Sequence, residues 1–467
     1  MPAKDLDVAI IGAGTAGLSA RSEVARVTDN YLVFDPGPLG TLCARTACMP
    51  SKALLQSAHD FHRRHDFDRL GIDGSDALRV DGARVLAETR KLRDTLVSGV
   101  LESMVDWRAS HLVNTAARFD AHGVLHADDR QFRPRATVIA TGAQPIVPPE
   151  WRDKFTTRLR TSDDIFELAT LPRRMAVIGL GPVGLELGQA FARLGVSVTG
   201  FDPSETIGGL QDPVLQPRLA RAVAPEMTII HAEAEPVEGP DGAVTMTWDG
   251  GRVDVDCVLV AMGRAPDHAA SGIDALGAVP HDSAARFHCV DLDQRQMGLY
   301  LAGDAGPGPA LLHEATDEGR IAGYHAARAT APDCRRRTPL GIVFCQPQIA
   351  LAGETWGDLA DRRDTLAIGE ACFDGSGRTL VSRDTGGAIR LYAERASARL
   401  LGAAILGPDA EHLAHLLAFA IGQKVGLEDL LQMPAYHPTH EEVLRGAVRS
   451  ALRVCDTDPP DLELKRG

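Results

Sequence analysis

Two stretches of this chain share one pattern of apolar and polar positions. Asp7-Val8-Ala9-Ile10-Ile11 is a short apolar run that breaks into Gly12-Ala13-Gly14-Thr15-Ala16-Gly17, and Met175-Ala176-Val177-Ile178 breaks into Gly179-Leu180-Gly181-Pro182-Val183-Gly184. Each predicts a buried strand, a glycine turn and an amphipathic helix. A second apolar run follows each one: Tyr31 to Phe34 ending at Asp35, and Val196 to Phe201 ending at Asp202. In both copies eighteen residues separate the third glycine from the acid.

Strand, G-x-G-x-x-G, helix, strand and acid in that register form a dinucleotide-binding fingerprint. The first glycine allows the tight turn, the second lets backbone approach a pyrophosphate, and the third lets helix and strand pack closely. The helix N-terminus then presents unpaired N–H groups to the phosphates. The acid accepts hydrogen bonds from a ribose hydroxyl. Two copies imply two dinucleotides. Weaker signals are Val138-Ile139-Ala140-Thr141-Gly142 and Gly298 to Asp304, two strand ends where backbone could approach a cofactor.

From about Thr338 the pattern changes. Residues 342–352 alternate loosely up to Gly353, residues 388–394 and 399–406 read as strands, and residues 409–424 and 440–453 read as helices. This is an α+β layer without a dinucleotide motif, and it predicts an interface domain.

Composition narrows the function. At 467 residues and 44% hydrophobic, the chain can build two or three domains. A net charge of −14 repels a phosphate backbone, which excludes nucleic acid as a partner. No run approaches the roughly 20 apolar residues that span a bilayer. Asp5 and Asp7 precede the first apolar run and no signal-peptide pattern is present, so no membrane partner and a cytoplasmic address are expected. Of eight cysteines, only Cys43 and Cys48 lie close in sequence, and no C-x-x-C pair exists to suggest a structural zinc. His59, His62 and His65 drift off one helix face, and His412 and His415 lack a third ligand, so no metal site is expected.

Cys48 precedes Met49-Pro50-Ser51-Lys52 and a good helix former, Ala53 to Ala58. Pro50 suits the first turn of that helix. Cys48 would then sit at its N-terminus, where the dipole favours a thiolate. A regular helix would set Cys43 and Cys48 about 7.5 Å apart along its axis, whereas a disulfide needs Cα atoms roughly 4.4–6.8 Å apart. A bridge therefore requires the intervening segment to leave helix. Two buried free cysteines are the alternative.

The run Cys43-x4-Cys48-Met-Pro-Ser-Lys52 resembles the redox-disulfide signature of the dihydrolipoamide dehydrogenase and glutathione reductase family. The two fingerprints, the Ala140-Thr141-Gly142 turn, the segment ending at Asp304 and His437-Pro438-Thr439-x-x-Glu442 follow in the family's order over nearly the whole chain. The resemblance implies an α/β fold with two doubly wound, Rossmann-like FAD- and NAD-binding domains and a C-terminal α+β dimerisation domain. The FAD domain would comprise residues 1–146 and 266–336, the NAD domain 147–265, and the interface domain 337–467. It further implies that Gly12, Gly14, Gly17, Asp35, Lys52, Thr141, Gly142 and Asp304 hold FAD. Gly179, Gly181, Gly184, Glu186, Asp202 and Gly263 would serve NAD, with Glu186 pairing with Lys52. Cys48 becomes the flavin-side sulfur and Cys43 the interchange sulfur. His437, held by Glu442 and supplied by the other subunit of a homodimer, becomes the general acid/base. Glu442 has a second reading, since Thr439-His440-Glu441-Glu442 is also a capping box.

Asp202 would repel a 2′-phosphate, and no Arg or Lys lies between it and Arg218, so NAD is expected over NADP. The family's Gly-Gly-Thr-Cys reads Gly40-Thr41-Leu42-Cys43 here; Arg45 replaces a common Asn, Ala47 a common Gly, and Tyr436 a common small residue. The run after Lys52 is similar to the lipoamide enzymes. The reading is dihydrolipoyl dithiol oxidation with NAD⁺ through FAD, on a small dithiol/disulfide or a protein-bound lipoyl group. Alternatives are a reductase of another small disulfide or sulfur carrier, a diaphorase with incidental cysteines, and a non-enzymatic FAD-binding redox sensor or assembly subunit.

Overall fold

The computed structural model describes residues 3–276, 287–292, 295–328, 334–384, 386–457 and 463–464. The first large sheet is centred on Lys4–Ile11, which pairs in parallel with Tyr31–Phe34 on one side and Arg130–Ile139 on the other. Val8, Ala9 and Ile10 are fully buried. A parallel strand covered on both faces reads as a continuous apolar run, which is why the pattern here does not alternate. The helix Thr15–Val24 lies against Leu312–Ala326. Gly319 and Gly323 make that contact possible: a Cβ on either would fall 2.1 Å from Ala16 O or 2.3 Å from Ala20 O.

The second sheet repeats the design. Arg174–Ile178 sits between Ser197–Phe201 and Cys257–Val260, and Thr228–Ile230 and Leu159–Thr161 close the two edges, all in parallel. The chain passes between the first and second sheets along a two-stranded antiparallel ribbon, Ala143–Pro145 with Arg264–Pro266.

The third sheet is antiparallel, in the order Leu340–Val343, Gln348–Gly353, Leu400–Gly407, Ala388–Glu394, Leu366–Cys372. The loosely alternating run 342–352 is thus two strands joined by residues 344–347. The edge strand Leu366–Cys372 had no counterpart in the sequence pattern. The helices Ala410–Gly422 and Glu441–Leu452 fall inside the expected ranges. Among the described residues no helix is long and apolar enough to cross a membrane.

One apolar core ties these parts together. It runs from Leu54 and Leu55, through Leu185, Leu187 and Phe191 of the second nucleotide fold, to Ile349, Leu366 and Tyr392 of the third sheet. Each such side chain contributes about 1.5–3 kcal/mol by burial. The helix Cys48–His62, which carries Leu54 and Leu55, is therefore wedged against the helix Pro182–Arg193.

A buried ionic chain supplements this core. The fully buried Asp212 carboxylate accepts from Arg390 Nε at 3.1 Å, Tyr392 OH at 2.6 Å and the backbone N–H groups of Val214 and Leu215. Arg390 also reaches Glu370 at 2.9 Å, as does Arg218. Removing the shared cation leaves Asp212 buried without its charge partner, and Tyr392 cannot supply one. Arg390→Ala is therefore expected to lower stability by about 3–5 kcal/mol, read as a fall in the thermal midpoint; an unchanged midpoint would show that this chain of charges contributes nothing.

Candidate active site

Leu42–Arg45 forms a single helical turn, and the backbone then leaves helix at Thr46 (φ −136°, ψ −9°) and Ala47 (φ −117°, ψ −97°). A new helix starts at Cys48 and runs to His62, with Pro50 in its first turn. This break is the departure from helix that a Cys43–Cys48 bridge requires. Both cysteines are half-buried and present as free thiols. The Cys43 thiol hydrogen-bonds the Cys48 sulfur, and this bond does most to pull the Cys48 thiol down to about 7. The nearby Lys52 charge assists, and burial opposes. The same bond pushes the Cys43 thiol up, reinforced by burial. The two shifts thus favour a first negative charge on Cys48 with the proton kept on Cys43.

Thr41 adopts φ +61° and ψ 147°, backbone that suits glycine. Its hydroxyl oxygen accepts from the Ala44 N–H at 3.2 Å, so the side chain caps the turn its own backbone strains to enter. Leu42 and Arg45 belong to the same turn, and Arg45 donates to Pro38 O at 3.0 Å. Both differences from the resembling signature therefore bear on Cys43.

Lys52 Nζ donates to Glu186 Oε2 at 2.7 Å, joining the two residues expected to pair. Glu186 is buried and also accepts from Ser51 Oγ at 3.3 Å and from the Phe344 N–H at 2.7 Å. Phe344 lies in the 344–347 connection and its role was invisible in the sequence.

The two glycine motifs divide their work identically. Gly12 has φ +105°, and a Cβ there would lie 2.2 Å from Ala140 O; one on Gly17 would lie 1.9 Å from Gly12 O. Gly179 and Gly184 repeat this against Ala261 O and Gly179 O, at 2.5 and 1.9 Å. Gly14 and Gly181 face no atom within 4 Å. The first and third glycines are thus demanded by the protein itself, while the second leaves an open cradle. The acids also match. Asp35 accepts from Ala13 N at 2.6 Å and Gly37 N at 2.7 Å, and Asp202 from Leu180 N at 2.7 Å and Ser204 N at 2.9 Å. They fasten the glycine turns, a role that pattern reading missed, and each oxygen retains a lone pair for a ribose hydroxyl.

The first cradle fits FAD. The Thr141 hydroxyl is buried without a partner, and Gly142 has φ +73°. The half-buried Asp304 carboxyl is pushed up by burial, with the Arg264 charge opposing. A bound polar group would satisfy both side chains. At the second cradle a cavity of about 630 Å³ is lined by Gly179, Gly181, Asp202 and Gly263, and also by Glu233, Glu235 and Trp151. The acidic run at 233–235 is a signal that spacing alone did not flag. Arg264 at this cavity is committed to Asp163 at 2.7 Å.

His437 Nδ1 lies 3.1 Å from both Glu442 oxygens, and Glu442 Oε2 also accepts from the Thr439 N–H at 3.2 Å. Glu442 therefore does both things, orienting the imidazole and capping the helix. The hydrogen bond to His437 and then the one from Thr439 hold its carboxyl below the usual range. The Thr439 hydroxyl donates to Tyr436 O instead of capping, so only half of the capping box forms. The His437 side chain is 76% exposed. Its supporting helix, Glu441–Leu452, packs mainly on the strands Leu366–Cys372 and Ala388–Glu394. Within one chain, His437 is not among the contacts of Cys43 and Cys48.

Comparison with known proteins agrees with this geometry. Residues 6–319 match the pyridine nucleotide-disulphide oxidoreductase family, and residues 340–448 match the dimerisation domain of that family. The chain is 31% identical to a dihydrolipoyl dehydrogenase of Haloferax volcanii and 28% identical to one of Geobacillus stearothermophilus, covering 96% of both chains in each case. Among solved structures, LpdA from Mycobacterium tuberculosis superposes with a TM-score of 0.80 at 22% identity, covering 96% of this chain and 99% of that one. The HOCl-induced flavoprotein disulfide reductase RclA from Escherichia coli superposes with a TM-score of 0.78 at 20% identity, covering 95% and 99%. At those identities the structural likeness shows the fold. Function of the dihydrolipoyl dehydrogenase kind is supported at the level of the family. The chain belongs to the pyridine nucleotide-disulphide oxidoreductase family, as an enzyme that works with FAD and a pyridine nucleotide and carries the family's dimerisation domain.

Proposed function

We propose that this enzyme oxidises a dihydrolipoyl dithiol, free or protein-bound, to the lipoyl disulfide while reducing NAD⁺, through a redox disulfide between Cys43 and Cys48. The observation that carries this reading is the pair itself. Two sulfurs share one proton across a helix break, with a lysine one turn further on.

In the oxidised pair, a substrate thiolate attacks the Cys43 sulfur. A mixed disulfide forms and Cys48 leaves as the thiolate its surroundings favour. The second substrate sulfur then attacks the substrate sulfur held by Cys43. Lipoyl disulfide departs and Cys43 is left as a thiol. Of the two protons the substrate gives up, one ends on Cys43 and the other on His437. With Nδ1 occupied by Glu442, the outward Nε2 of His437 is the nitrogen that accepts it. His437 is exposed and makes no contact with the cysteines of its own chain, so it acts on the partner subunit of a homodimer.

FAD would sit in the cradle that Gly14 leaves open and that Gly12 and Gly17 shape, with Asp35, Lys52, Thr141, Gly142 and Asp304 as its other holding residues, and it would supply electron transfer between the redox pair and the nicotinamide. The nicotinamide nucleotide would occupy the cavity lined by Gly179, Gly181, Asp202 and Gly263, with Gly184 packed against the turn of Gly179 and Glu186 holding Lys52 outside that lining. Asp202, with Glu233 and Glu235 beside it, disfavours a 2′-phosphate and selects NAD. The ribbon Ala143–Pro145 with Arg264–Pro266 supports dividing the chain at 146/147 and 265/266, with the interface domain from 337. A cytoplasmic address completes the reading, because the dithiol state of the pair belongs in a reducing compartment. Reduction of another small disulfide or carrier is the second reading, favoured by Thr41, Leu42 and Arg45 around Cys43.

Dihydrolipoamide-dependent NAD⁺ reduction by the purified holoenzyme is the direct test. Wild-type turnover that Cys48→Ser abolishes is expected. Negligible wild-type turnover, from an enzyme whose flavin NADH still bleaches, would reject free dihydrolipoamide. His437→Gln should lower the same activity about a hundredfold or more while leaving NADH oxidation by an artificial acceptor intact; equal loss in both assays would remove His437 from the dithiol step. NADH should be preferred to NADPH by more than about tenfold in kcat/KM, and comparable values would overturn the assignment made to Asp202.

A further inference from the structure

Phe344 sits in the short connection between Leu340–Val343 and Gln348–Gly353, inside the matched dimerisation domain, yet it touches both the redox helix and the helix Pro182–Arg193. Its N–H donates to Glu186 Oε1 at 2.7 Å. Its ring centroid lies 4.8 Å from Lys52 Nζ, while the same Nζ donates to Glu186 Oε2 at 2.7 Å. The ammonium therefore has a carboxylate and the face of an aromatic ring as fixed neighbours, a distance at which the ring quadrupole attracts a cation.

This position matters because of helix geometry. Lys52 lies one turn after Cys48, and helical side chains lean back toward the N-terminus, so Lys52 projects over the turn that carries Cys48. The Lys52 side chain is still 34% exposed. A lysine with that access to water would spread its charge over many rotamers unless something held it. The charged and titratable groups acting on the Cys48 sulfur are Cys43 and Lys52, which favour the thiolate, and Glu186, which opposes it. Lys52 carries the cationic charge of that set, so its placement sets how far it offsets Glu186.

We propose that Phe344 is a positioning residue: its ring face and backbone N–H hold the Lys52–Glu186 pair so that the ammonium stays beside Cys48, and the C-terminal domain thereby sets how readily that sulfur carries negative charge. The inference rests on the assignment of Cys48 as the thiolate-bearing sulfur, and it goes beyond that assignment in giving a residue of the dimerisation domain control over it. Any movement of the 344–347 connection would then be felt at the redox pair.

The test is alkylation of the two-electron-reduced holoenzyme with iodoacetamide across a pH series, with the initial rate at Cys48 read by peptide mapping. Phe344→Leu keeps the backbone N–H and an apolar side chain but removes the ring. It should move the midpoint of the Cys48 curve upward and slow alkylation at neutral pH about two- to fivefold. Phe344→Tyr keeps the ring face and should restore the wild-type curve. A Leu variant with the wild-type midpoint would overturn the proposal, as would Leu and Tyr variants displaced alike, since that would mark packing and not the ring–cation contact. With dithionite as the reductant, no dithiol substrate or pyridine nucleotide enters this assay, so failure of the lipoyl assignment would leave its result standing.

Discussion

A carboxylate taken out of water costs several kcal/mol unless it is paired and hydrogen-bonded, and the arrangement of this molecule around Glu186 follows from that cost. Glu186 lies on the helix Pro182–Arg193 of the second nucleotide fold. Its partners come from elsewhere: Ser51 and Lys52 from the redox helix, and the Phe344 N–H from the C-terminal domain. Satisfying one buried charge thus fixes three parts of the chain relative to each other. The apolar core that surrounds it, from Leu54 to Phe191 to Ile349, excludes water from the same junction. The charge supplies direction to a contact that hydrophobic packing alone would leave free to slide.

The redox pair uses the same economy of charge at smaller scale. Neither cysteine is exceptional by burial, since both are half-buried. What separates them is that Cys43 donates and Cys48 accepts, at the first residue of a helix and one turn before a cation. An asymmetry in thiol acidity follows without any further group. On that asymmetry rests the proposed exchange, in which Cys48 is the leaving sulfur and Cys43 the sulfur attacked. The strained backbone at Thr41 lies immediately ahead of the turn that carries Cys43.

The repeated nucleotide folds show how a motif can combine structural and binding demands. A Cβ at the first or third glycine meets backbone of the fold itself, so those positions are glycine whatever is bound. Only Gly14 and Gly181 face open space, and only they are free to be read as ligand positions. The acids Asp35 and Asp202 likewise serve the turn before they serve a ribose, since each accepts two backbone N–H groups.

By itself the sequence determined most of this. Both fingerprints, the helix beginning at Cys48 and the necessity of a break before it were legible because each depends on local spacing or on turn chemistry; the His437–Glu442 pairing came from family resemblance, beside a capping-box reading of Glu442. Lys52 and Glu186, 134 residues apart in the chain, became legible only through family resemblance. What tertiary structure alone decided is of another kind. The connection at 344–347 lay inside one loosely alternating run, and Phe344 carried no motif; its two contacts exist only because the fold brings this connection to Lys52 of the redox helix and to Glu186 of the helix Pro182–Arg193. Glu233 and Glu235 gained meaning only because the fold brings them to line the same cavity as Asp202. Glu442 could be read as cap or as partner, and the structure made it both, because a carboxylate has two oxygens and four lone pairs to share. Local pattern fixes the backbone path and which residues can react; long-range packing fixes which charges stand beside them, since that depends on distances no one-dimensional spacing encodes.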